Sequence, residues 1–137
     1  MSMNRREWGF SLVELLVVMS ILGILMAWGI PAYQQSSQGV RRNDGKASLL
    51  NIMNLQERFN TQNNSYTLNL GTGGLGLTVD GSGYVDTDEG YYKIQATACG
   101  TGIASCVELT ALAQGTQADD GNLGLDSTGN KTPADKW

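Results

Sequence analysis

Few side chains in this 137-residue chain are equipped for chemistry, and their spacing is mostly wrong for it. There is no histidine, which removes the commonest general base and metal ligand. Asp86-Thr87-Asp88-Glu89-Gly90 has something of a calcium loop, but its glycine is fifth rather than sixth and no bidentate glutamate follows at the needed spacing. It reads as an acidic turn before a strand. Gly71-Thr72-Gly73-Gly74-Leu75-Gly76 lacks the lysine and the helix start of a phosphate loop. Cys99 and Cys106 enclose six residues. No carboxylates cluster at helix spacing, so no catalytic constellation assembles, and neither a metal nor a cofactor is expected. One carboxylate is nevertheless out of place. From Phe10 to Ile30 the chain has 21 residues, of which only Glu14 is charged. A carboxylate at the centre of a membrane helix costs about 2.5–3.5 kcal/mol, and less near an end, where Glu14 stands.

The element that must hold Glu14 is a helix. At ~1.5 Å per residue the run would span about 31 Å, the thickness of a bilayer's hydrocarbon core. Arg5 and Arg6 precede it, which predicts an N-terminus on the cytoplasmic side and everything after Tyr33 outside. Three accounts fit: an uncleaved signal anchor with a stray acid, a secretory signal cut after Ala27-Trp28-Gly29, and a processed anchor that keeps its apolar run. The net charge is −4, and losing residues 1–9 would leave −5. Such a balance argues against general nucleic-acid binding. Two cysteines outside the cytoplasmic membrane suggest one disulfide, and at the facing ends of adjacent antiparallel strands they can lie at bonding distance.

Gly9-Phe10, then Glu14, a long apolar run and Gly29-Ile30-Pro31-Ala32-Tyr33 together resemble the class III signal of type IV pilins. The resemblance implies an α+β fold, with a long N-terminal helix, transmembrane and then amphipathic, packed on a small antiparallel sheet of about three to four strands. It implies that prepilin peptidase cuts after Gly9 and that Phe10 becomes the N-methylated terminus. Glu14 would then pair with the Phe10 amine of a neighbouring subunit and set axial register. Gly23 and Pro31 would serve assembly, either as a kink or by letting the segment between them melt in the filament. The implied partners are other pilins in a homo- or hetero-oligomeric filament, the peptidase, the inner-membrane assembly machinery and the membrane itself. The implied location is the inner membrane with a periplasmic globular part, and then an extracellular pilus supporting adhesion, twitching motility or DNA uptake. A type II secretion pseudopilin and a specialised DNA-uptake or adhesion pilin are the alternatives. The cysteines depart from the family, many of whose members tie the last strand to the C-terminus. Transfer of DNA or host-surface binding through a disulfide loop is therefore in doubt.

The chain accordingly divides into a leader (1–9), an assembly helix (10–33), an amphipathic helix (34–60) and a globular part (61–137). In the amphipathic stretch Leu49, Ile52, Met53, Gln56 and Phe59 recur at helical steps, joined by Val40, Ala47, Leu50 and Leu55 on a broader stripe. Gly39 and Gly45 invite a bend. Arg41, Arg42 and Lys46 read as a solvated face, or as a contact for anionic lipid or an acidic neighbour. Asparagines 63 and 64 suit a C-cap. Tyr91–Ala98, Val107–Ala113 and Asn122–Asp126 alternate as strands, with turns at 114–121 and 127–131 and a loose tail at 132–137 unless Trp137 packs back.

Overall fold

The computed structural model describes residues 9–137, so the leader residues Arg5 and Arg6 lie outside the described residues. Helix α1 runs unbroken over Leu12–Asn63, through Gly23, Gly39 and Gly45. Its start is fixed by Ser11, whose Oγ accepts from the Val13 N–H at 3.3 Å. Its end is fixed by Asn64, which takes a left-handed φ of 54° while its N–H reaches Asn60 O at 2.7 Å. The chain forms two units, the first ending at Ser37 and the second spanning Gln38–Trp137.

In the second unit five antiparallel strands follow one another in the sheet in chain order: β1 (Val85–Asp86), β2 (Tyr92–Ala98), β3 (Val107–Ala113), β4 (Leu123–Asp126) and β5 (Lys131–Thr132). The central pair is in register along its whole length, from Tyr92 opposite Ala113 to Ala98 opposite Val107. Alternation sends Tyr92, Ile94, Val107, Leu109, Ala111, Leu123 and Leu125 to one face. There they meet Leu49, Ile52 and Met53 of α1, with Tyr66 and Leu70 closing the edge. Gly45 lets the helix settle. A Cβ there would stand 2.9 Å from the Tyr92 ring and 3.2 Å from Leu123 Cδ1. The glycine that weakens the helix locally thus permits its close approach to the sheet.

Four details differ from the sequence expectation. β1 and β5 raise the strand count to five, because two-residue strands carry no readable alternation. The turn after β3 is a 3-10 helix, Gly115–Asp120, with Gln117 and Asp120 buried. The broader helix stripe is not all apolar core: Val40 and Leu50 remain 69% and 46% exposed, since their helical positions point away from the sheet. The tail packs back, with Trp137 against the core and its Nε1–H donating to Thr132 O at 3.2 Å.

Candidate functional site

The first unit carries the assembly candidates. Leu12–Ile30 is long and apolar enough to cross a membrane, and none of it is buried. Phe10 is 83% exposed. Gly23 and Gly29 face open space, so no packing among the described residues requires either to be glycine. Glu14 is exposed and occupies the first turn of α1. With Ser11 as cap it completes the Ser-x-x-Glu pattern of a helix start, where free N–H groups favour a carboxylate. Periodicity and hydropathy drew attention to the cost of Glu14, whereas the Ser11 cap is the signal that explains how one chain tolerates it.

In the second unit Arg41 and Arg42 of α1 are bound inward. Arg42 forks onto Asp120, with Nε to Oδ2 at 2.8 Å and Nη2 to Oδ1 at 2.5 Å. Lys136 donates to Asp120 O and lies 3.7 Å from its Oδ1, so the tail closes over the same carboxylate. The Arg42 hydrogen bond holds the Asp120 carboxyl below its ordinary range, against the opposing effect of burial. Gln117, fully buried, donates Nε2–H toward Gln38 O, Tyr92 Oη and Asp120 Oδ2 at 3.2, 3.0 and 2.9 Å. Burial pushes the Tyr92 hydroxyl up. Arg41 donates to Thr116 Oγ1 at 2.9 Å and lies 4.7 Å above the Tyr91 ring. The solvated face expected at Arg41-Arg42 is therefore a clamp, and its acidic neighbour is within the same chain. The residues that complete it sit in a turn and a tail more than seventy residues away, with no local pattern to mark them.

The glycine-bearing connection between β2 and β3 is closed by the Cys99–Cys106 disulfide, Cα to Cα 5.3 Å. Ile103 within it accepts from the Tyr66 N–H at 3.3 Å, tying the loop to the exit of α1. Gln56, fully buried, satisfies both backbone groups of Thr67, donating to its O at 2.6 Å and accepting from its N at 3.0 Å. Lys93 donates to Asp80 at 2.5 Å and holds that carboxyl down at about 2, while Asp86 lies 3.4 Å from the same ammonium. Among the described residues no group of His, Cys, Asp and Glu side chains is arranged to hold a metal. The first unit offers a bare apolar helix, and the second is a head stapled by a disulfide and by ion pairs at Asp120 and Asp80.

Two family models and several known proteins match this chain. A family described as "Prokaryotic N-terminal methylation motif" matches residues 4–30, and one described as "Type IV minor pilin ComP, DNA uptake sequence receptor" matches residues 31–123. The type IV major fimbrial protein FimA of Dichelobacter nodosus is 30% identical over 123 residues, covering 85% of this chain and 74% of the relative. The type IV major pilin PilA of Myxococcus xanthus is 31% identical over 64 residues, 47% of this chain and only 29% of the relative. A solved type IV pilin from Shewanella oneidensis superposes with a TM-score of 0.50 at 23% identity, covering 71% of this chain and 92% of that one, a likeness of fold. An apolar helix left uncovered, a helix-on-meander head, and family matches that together run from residue 4 to residue 123 have one reading: the chain belongs to the type IV pilins and is a structural subunit of a pilus.

Proposed function

We propose that the chain is made as a prepilin, cut after Gly9 and N-methylated on Phe10. Residues 10–33 then hold it in the inner membrane with the head (61–137, on the amphipathic stretch 34–60) in the periplasm, until assembly machinery extracts it into an extracellular filament. The observation that supports this reading is the 19-residue span Leu12–Ile30, entirely uncovered in the single chain and lying within residues 4–30, which match the methylation-motif family. In the filament, neighbouring copies or other pilins supply the cover, Glu14 meets the Phe10 amine of a neighbour, and the Gly23–Pro31 segment loosens where no packing demands a glycine. Mass spectrometry of sheared filaments tests it. A chain beginning at methylated Phe10 is expected, and Gly9→Leu should leave full-length protein in the membrane. A mature terminus at Ile30 would sink the proposal.

A second reading, DNA uptake, is favoured by the match of residues 31–123 to the uptake-receptor family. Against it stand the net charge of −4 and the internal commitment of Arg41, Arg42, Lys93 and Lys136. A labelled duplex carrying varied sequence decides between them: retardation by the purified chain that falls steeply with salt supports uptake. Equal mobility with and without protein leaves the filament role alone.

A further inference from the structure

Exposed charges without an ion pair among the described residues stand at both ends of the head. At one end Gly45 lies against Tyr92, and the turn 86–91 leads directly into that tyrosine. This turn is braced: Thr87 N–H donates to Tyr92 O at 3.0 Å, Tyr92 N–H to Thr87 Oγ1 at 3.2 Å, and Gly90 N–H to Thr87 O at 2.9 Å. It projects Asp88 and Glu89, both exposed and without an ion pair among the described residues, whereas adjacent Asp86 faces Lys93. At the other end β2 passes into the disulfide loop, which bonds to Tyr66 just beyond the helix. There stands Arg58, an exposed arginine with no hydrogen bond, ion pair or aromatic partner among the described residues. It lines a cleft of about 160 Å³ with Leu55, Phe59, Gln62, Gly74 and Leu75. Thirteen helical steps lead from Gly45 to Arg58, about 20 Å at 1.5 Å per step.

We infer that the Asp88-Glu89 tip of one head docks on Arg58 in the cleft of the next copy of this chain. This rests on the filament reading above. A guanidinium in a partly apolar cleft recognises a carboxylate more strongly than it would in open water. Two unlike patches at opposite ends of one unit make a head-to-tail contact, the kind that propagates into an open filament instead of closing as a two-fold dimer. The braced turn presents its carboxylates with little conformational entropy left to lose.

The test uses the full chain expressed in a pilus-assembling cell lacking its own copy. In Arg58→Cys/Asp88→Cys, both native cysteines being paired, mild oxidation of sheared filaments should give a ladder of cross-linked subunits that collapses with reductant. Each single variant should stop at dimers or below. Separately, Arg58→Glu should lower incorporation about tenfold without moving the melting temperature, because Arg58 has no partner among the described residues. Adding Asp88→Arg and Glu89→Arg should restore incorporation. Filaments that contain the double-cysteine chain but yield no ladder overturn the contact, as does a charge reversal with no loss or no recovery. Absence of even the wild-type chain from filaments would instead strike the filament reading itself.

Discussion

Leu16 and Leu49 lie on the same helix and share a side chain, but not an environment. Leu16 is 67% exposed and sits in a segment of which none is buried; Leu49 is fully buried against the sheet. The same contrast divides the glycines, since Gly23 and Gly29 face open space while Gly45 touches Tyr92 and Leu123. It divides the charges too: among the described residues Glu14 has only its helix start, whereas Asp120 is held by Arg42 and Lys136. The head's stabilising interactions are contained within the chain. In the first unit the described residues offer no such cover: none of Leu12–Ile30 is buried.

Substitution at the two leucines should separate these regimes most widely. Leu49→Ala removes a buried side chain and should destabilise the head by about 2–5 kcal/mol. Leu16→Ala, like Glu14→Leu, should leave the head's melting transition in detergent unchanged and reduce recovery of the chain in sheared filaments. A melting shift from Leu16→Ala, or normal filament yield from Glu14→Leu, would break the comparison. A smaller effect is expected of the staple. Replacing Cys99 and Cys106 by serine should lower head stability by about 2–3 kcal/mol on chain-entropy grounds. Because Ile103 is bonded to Tyr66, amide exchange should rise at the helix exit as well as in the loop. Protection unchanged at Tyr66 would mean the loop is held without its sulfurs. The smallest effect concerns Asp80. Its folded pKa, about 2 beside Lys93, lies below the ordinary 3.8, so its contribution is complete above about pH 4 and is lost as pH falls toward 2. The melting temperatures of wild type and Asp80→Asn should therefore differ slightly at neutral pH and converge near pH 2. Curves that stay parallel throughout would show the pair to be idle.

Legibility followed the range of the interactions. The span, the ends of α1 and the alternation of β2 and β3 are written in neighbouring residues, and so is the spacing that lets Cys99 meet Cys106. Arg42 could be read only as a basic residue on a helix, because Asp120 comes seventy-eight positions later in a turn of unremarkable composition. Gly45 reads as a helix weakness until the Tyr92 ring is placed beside it. β5 escaped notice for a related reason: its pairing with Gly124 and Leu125 depends on the fold bringing the tail back, not on any pattern in Lys131-Thr132. Val40 and Leu50 misled in the opposite sense, since apolar character at roughly helical steps does not say which side of the helix will be covered.

The order of the sheet bears on how the head comes into being. Every strand pairs with its immediate predecessor in the chain, β1 through β5 without a crossover. In a chain synthesised from its N-terminus, each strand after β1 therefore finds its partner already made. Each hairpin closes as its second arm appears, on a helix that is already out, so few unpaired edges are left to meet other chains. Residues 135–137 then bring Lys136 to Asp120 and Trp137 to the core, and only with them in place does that carboxylate have both its cations.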